Sequence, residues 1–236
     1  MIVHLGVIIP AYNEEEEILG CLDSVTRSFA QVPAEIAQFS YEILVVVDAC
    51  TDGTLGLVEG FAGEHPHVTA LTTSFKNVGL ARNFAWNYFM QMVGADCNAK
   101  FDSTWIALTD ADSRVPDHWV ATHIGLARAG VDCLVGTVSP RPDTGSPELI
   151  AKWHSRHELF EDHPHVFGAN LGLRGSYLEI IDGIPQLALG EDTAIVAAVL
   201  EAGGIVRRTD ACRVLTSARL EGRVRGGFNA YMQSLL

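Results

Sequence analysis

At 236 residues and 25.5 kDa, with 48% hydrophobic side chains, the chain has material for one large globular domain or two small ones. Its 29 acidic against 16 basic side chains give a net charge of −13, which excludes the basic face that supplies most of the affinity in nucleic-acid binding. No run approaches the roughly 18 apolar residues of a membrane span, and residues 1–10 lack a basic n-region and a small-residue cleavage site.

These features predict a soluble chain without a transmembrane segment, leaving peripheral contact with a membrane-borne acceptor open. Five cysteines, Cys21, Cys50, Cys97, Cys133 and Cys212, are odd in number and scattered, which predicts reduced thiols in a cytoplasmic setting.

In chain order, residues 2–9 read as a strand stopped by Pro10. Asn13 is then a plausible N-cap ahead of Glu14 to Glu17 in the first turn of a helix carrying Ile18, Leu22, Val25 and Phe29. The apolar run 43–47 is a second strand ending at Asp48, and residues 51–54 open a second helix with Leu55, Val58 and Phe61. Residues 68–72 form a short strand, and Leu80, Phe84, Tyr88 and Met92 mark a helix. Residues 105–109 are the next strand. Pro116 opens a helix with Val120, Ile124 and Ala127; a strand follows at 131–138, then a proline-rich loop at 141–147. A polar helix is expected over 148–161, a strand over 166–173 and an apolar helix over 193–202, and residues 205–209 are expected to end the regular structure. Wholly apolar strands alternating with helices predict an α/β domain whose mostly parallel central sheet is covered on both faces.

Polar clusters follow four of these strands: Ala11-Tyr12-Asn13-Glu14, Asp48, Asn77 with Arg82, and Asp110 with Asp112. In a parallel sheet the carboxyl ends lie on one edge, where ligands bind. In an extended segment residues i and i+2 face one side, so Asp110 and Asp112 suit a hard cation carrying phosphate oxygens. The plain alternative for this triplet is a solvated acidic loop.

Five motifs together resemble the family 2 glycosyltransferases of GT-A fold: residues 7–15 (VIIPAYNEE), 46–54 (VVDACTDGT), 77–83 (NVGLARN), 109–112 (TDAD) and 190–193 (GEDT). The resemblance covers residues 1 to about 209. It implies one GT-A domain over 1–212, with a nucleotide-sugar-binding half at 1–112, an acceptor-binding half at 113–212, and a tail at 213–236. Pro10, Ala11, Tyr12, Asn13 and Glu14 would line the nucleoside pocket, and Asp48 would accept a base N–H from uracil or guanine, making a UDP or GDP sugar the expected donor. Asn77 and Arg82 would lie beside the base or diphosphate. Asp110 and Ala111 would approach the ribose or sugar, with Asp112, supported by Asp110, holding Mg²⁺ or Mn²⁺. Asp192 would be the general base toward an acceptor hydroxyl, positioned by Glu191, giving inversion. Asn170 falls in the acceptor-side wall, and Arg219 is a candidate diphosphate ligand among the tail arginines, with Arg213, Arg223 and Arg225.

The chain departs from this pattern after Thr216, where many GT-A enzymes supply a histidine as a further metal ligand and this sequence has none beyond His165. A Gln-x-x-Arg-Trp element is absent as well, so single transfer is expected rather than polymer synthesis. His154, His157, His163 and His165 match no zinc spacing. The competing readings are a nucleotidyltransferase, disfavoured because no glycine-rich basic loop follows the first strand, and a catalytically silent nucleotide-sugar binding protein.

Overall fold

The computed structural model describes residues 1–94, 98–220 and 227–235; Cys97, Arg223 and Arg225 lie outside this set. Seven strands form one sheet in the order β3-β2-β1-β4-β6-β5-β7. In chain order these are β1 (His4–Ala11), β2 (Ser40–Asp48), β3 (Val68–Thr73), β4 (Thr104–Leu108), β5 (Cys133–Pro140), β6 (Leu171–Arg174) and β7 (Val206–Thr216). β3, β2, β1 and β4 run parallel; β6 lies antiparallel between β4 and β5, and β7 is parallel to β5.

The sheet is buried on both faces because its strands are apolar at consecutive positions, and strand geometry sends alternate side chains to opposite sides. Leu5, Val7, Ile9, Ile43 and Val45 pack with Ile18, Leu22 and Val25 of α1 (Ile18–Ala30), with α2 (Thr54–Glu64) through Val58, and with Trp119, Val120 and Ile124 of α5 (Trp119–Arg128). Their neighbours Ile8, Leu44 and Val46 pack with Ala81, Ala85 and Phe89 of α3 (Val78–Met92) and with Ile195 and Val199 of α8 (Glu191–Glu201) on the other face. Short helices α4 (Asn98–Asp102), α6 (Pro147–His154), α7 (Gly175–Ile180) and α9 (Gly227–Ser234) complete the described elements.

The strand order sets the place of a ligand site. From β1 the chain moves outward to β2 and β3, then returns to place β4 on the other side of β1. The crevice outside the carboxyl ends of β1 and β4 is therefore the switch point of the sheet, and it receives the segments 10–14 and 109–112.

Several expectations are corrected. Pro10 continues β1 instead of ending it: Ile8 is the last partner on the β4 side, and the absent Pro10 N–H would face that side beyond the ladder. Asn13 does not cap α1. It takes a left-handed conformation (φ 55°), its side chain accepts from Thr51 N at 2.7 Å, and the helix begins at Ile18. α6 ends at His154, and the expected strand over 166–173 is a 3-10 turn, Gly168–Asn170, followed by the four residues of β6. The tail expected from 213 begins inside a strand: Cys212, Val214 and Thr216 alternate into the core along β7, and Met232 of α9 and Leu235 just after it are buried.

Behind the sheet His123 is buried, accepting from Trp105 Nε1 at 3.2 Å and packed 4.4 Å from the Trp119 ring. Burial pushes its pKa down from the ordinary 6.5 to about 3. Between these values the unfolded chain binds the proton and the folded chain does not, so this contribution to stability is complete above pH 6.5 and is lost as pH falls toward 3. In urea titrations at pH 7, 5.5 and 4, the stability advantage of the wild type over His123→Gln is expected to shrink with acidification. A constant gap would contradict the buried neutral imidazole.

Candidate functional site

A cavity of 930 Å³ opens at the switch point, lined by the ends of β1, β2 and β4, the start of α8 and the segment 166–169. From β1 come Pro10, Ala11, Tyr12 and Glu14. From β2 comes Asp48, which is buried and accepts three hydrogen bonds: Thr73 Oγ1 at 3.0 Å, Phe75 N at 2.6 Å and Asn77 N at 3.1 Å. This carboxylate therefore shapes the turn that leads into α3. Asn77 caps that helix by accepting from Leu80 N at 3.0 Å, while still lining the cavity.

Asp110, Ala111 and Asp112 leave β4 in a tight turn closed by Ser113 N to Asp110 O at 3.0 Å. At one side stands Arg82, whose guanidinium is fully buried. It donates from Nη2 to Asp110 Oδ1 at 2.7 Å and to Gly168 O at 3.0 Å, and from Nη1 to Glu191 Oε1. Arg82 is thus a clasp joining α3, the acidic turn, the segment 166–169 and the first turn of α8. These three acceptors engage both terminal nitrogens, and Arg82 lines the cavity beside the acidic turn.

On the other side Arg219 makes a two-pronged pair with Glu14 and approaches Asp112 Oδ2 at 3.3 Å. Thr216 Oγ1 donates to Asp112 Oδ1 at 3.3 Å and accepts from Ser113 Oγ at 3.1 Å. Burial, followed by the neighbouring Asp110 charge, pushes the Asp112 carboxyl up to about 7. Burial also raises Asp110 and Glu191, against the pull of Arg82. Acidic side chains crowded in this way gain from an added cation.

No group of three His, Cys, Asp or Glu side chains among the described residues is arranged to hold a metal ion. Two carboxylates from Asp110 and Asp112 nevertheless offer the hard oxygen donors that Mg²⁺ and Mn²⁺ favour, and the raised carboxyls fit a site completed by a cation, with phosphate oxygens and water as the other ligands. Thr216 and Arg219 occupy the region where a histidine would be sought.

Gly190, with φ 79°, turns the chain into α8, so Glu191 points inward and Asp192 stands half-buried on the cavity wall. Asp192 Oδ1 accepts from Thr193 N at 2.7 Å.

Two expected contacts are absent from the lining. Asn13 is turned toward Thr51. Asn170 is wholly buried, donating to Thr137 O at 2.8 Å and Cys212 O at 2.9 Å and accepting from Trp119 Nε1 at 2.9 Å. It ties α5, β5 and β7 together and has no polar atom left for a sugar. Gly136 makes room for it, since a Cβ there would lie 2.2 Å from its Nδ2.

The sequence reading did not single out much of the opposite wall, namely Val138, Val166, Phe167, Phe228 and Tyr231, with Trp153 from α6 and His157 just beyond it. Only the aromatic content of α6 hinted at it, because these residues come from four separate segments without a common period. Cys50 is a passive thiol, accepting from Asn13 N at 3.1 Å, with its pKa raised by burial.

Against known proteins, residues 6–180 match the family described as Glycosyl transferase family 2. A 63-residue stretch is 36% identical to the dolichyl-phosphate beta-glucosyltransferase of Drosophila melanogaster, covering 27% of this chain and 19% of that protein. A 134-residue stretch is 29% identical to undecaprenyl-phosphate 4-deoxy-4-formamido-L-arabinose transferase of Proteus mirabilis (strain HI4320), covering 56% and 36%. The fold superposes with a TM-score of 0.64 on the mannosyltransferase PcManGT of Pyrobaculum calidifontis in complex with GDP-Man and Mn²⁺, at 21% identity over 98% of this chain and 60% of that one. The score is also 0.64 with S. aureus TarS 1-349 in complex with UDP-GlcNAc, at 18% identity over 99% and 61%. The chain thus spans less than two thirds of these relatives, curated or solved.

Proposed function

The chain belongs to glycosyl transferase family 2 and is a glycosyltransferase of GT-A fold, and on that premise we propose that it moves a single sugar from a nucleotide diphosphate to an acceptor hydroxyl with inversion. UDP and GDP are the favoured donor nucleotides, since Asp48 accepts equally from uracil N3–H and guanine N1–H. This fits the donors of the two superposed enzymes, GDP-Man and UDP-GlcNAc.

In this reading Tyr12 and the backbone of 10–14 receive the nucleoside. Asp110 and Asp112 hold the metal, Mg²⁺ or Mn²⁺, which when bound neutralises charge on the diphosphate. Arg219 supplies further positive charge beside it. Arg82 fixes Asp110 and Glu191 at a set spacing, so Glu191 supports the start of α8. Asp192 is then the carboxylate that faces the cavity and takes the acceptor proton. Four free cysteines among the described residues support a reducing, cytoplasmic setting. No helix among the described residues is long and apolar enough to cross a membrane, and peripheral contact with one stays compatible with this reading.

The observation that carries the proposal is the meeting at one cavity of Asp48, the Asp110–Asp112 turn and Asp192, delivered by β2, β4 and α8. Calorimetric titration with UDP, GDP, dTDP and ADP sugars in the presence of Mn²⁺ tests it. Saturable binding of a UDP or GDP sugar, followed by transfer or slow hydrolysis, is expected; failure of all four to bind contradicts it.

A further inference from the structure

Where Arg82 bonds the Gly168 carbonyl, the charged part of the cavity ends. Beyond it the wall is Phe167, Val166 and Val138. Facing these, Trp153 stacks on His157 with ring centres 4.2 Å apart, and α9 brings Phe228 to 6.3 Å from Trp153 and Tyr231 to 5.2 Å from His157. The lysine and arginine residues among the described lining are Lys76, whose neighbours Phe75 and Asn77 bond Asp48, and Arg82 and Arg219, which pair with the other carboxylates. Arg82 and Arg219 are already ion-paired there. Among the described residues the polar groups of the aromatic wall are His157, whose Nδ1 is engaged with the Trp153 carbonyl at 2.9 Å, the unpartnered Trp153 Nε1 and the Tyr231 hydroxyl, none of them a lysine or arginine.

A phosphate placed against this wall would be desolvated with no lysine or arginine among the described residues to offset its charge, at a cost of several kcal/mol. An alkyl or ring surface gains about 25 cal/mol per Å² buried. The volume of 930 Å³ lies toward the upper end of the roughly 300–1,000 Å³ typical of ligand sites, leaving space for a second molecule beside a nucleotide sugar.

We infer that the acceptor is an uncharged alcohol on an apolar skeleton, lying on the Trp153–Tyr231 wall with its hydroxyl directed at Asp192. This rests on the transferase reading above and adds the acceptor class. The alcohol oxygen forms a bond to the anomeric carbon as the bond from that carbon to the diphosphate breaks. The electron pair leaves on the nucleoside diphosphate, and the hydroxyl proton passes to the Asp192 carboxylate. The two curated relatives are named for lipid phosphates, and the apolar body is common to both cases.

The test is equilibrium binding to the full chain, followed by tryptophan fluorescence and calorimetry, with geraniol, geranyl phosphate and methyl β-glucoside as probes and UDP or GDP with Mn²⁺ titrated in parallel. Geraniol is expected to bind at least about tenfold more tightly than the other two, a difference of about 1.4 kcal/mol. Tyr231→Ala should weaken geraniol severalfold and leave nucleotide binding unchanged; Phe228→Ala serves the same purpose should the first variant fail to fold. Geranyl phosphate or methyl β-glucoside binding as tightly as geraniol, or no geraniol binding, overturns the inference. Loss of nucleotide binding in the wild type overturns the transferase reading instead, so the two failures are distinguishable.

Discussion

Asp192→Asn is expected to lower turnover by about 10²–10⁴-fold, the usual range for a general base, while leaving donor affinity nearly unchanged. The variant isolates chemistry from folding. Asparagine keeps the side-chain oxygen that accepts from Thr193 N at 2.7 Å, so this bond in the first turn of α8 is retained. Glu191 cannot substitute, because its carboxylate is buried and bound by Arg82. Turnover and donor dissociation constant measured on the same preparation decide it, and wild-type turnover would remove Asp192 from the mechanism.

The second large effect belongs to Arg82. Replacing it with leucine leaves the buried Glu191 and the half-exposed Asp110 with no cation between them. Loss of one partner from such a cluster costs about 3–5 kcal/mol. For a chain of this size that lowers the melting temperature by roughly 6–20 °C. Adding Glu191→Leu should return part of the loss, since the two changes act on one network. A melting temperature close to wild type in Arg82→Leu would show that the clasp is not a structural element.

How much was legible from the sequence follows from the distance over which each signal acts. The apolar runs in β1, β2 and β4 and the spacing of Leu80, Phe84 and Met92 are local, and they predict the elements from β1 to β4 closely. The carboxylates after those strands then follow from strand polarity. β7 was underestimated, although Cys212, Val214 and Thr216 alternate, because arginines at 207, 208 and 213 make its solvent side resemble a tail. Asn170 was misread for a different reason: its three partners come from α5, β5 and β7, 33 to 51 residues away, and no local pattern announces a buried amide. The Arg82–Glu191 bond spans 109 residues, and the aromatic wall depends on α9, whose burial only the fold reveals.

The central claim is that Asp112 holds a cation which in turn holds the donor diphosphate. Calorimetric titration of the preferred nucleotide into wild type and Asp112→Ala, each with and without Mn²⁺, tests it most directly. The account predicts that Mn²⁺ tightens binding at least about tenfold in the wild type, about 1.4 kcal/mol, and has no such effect in the variant. Equal Mn²⁺ enhancement in both proteins would contradict it.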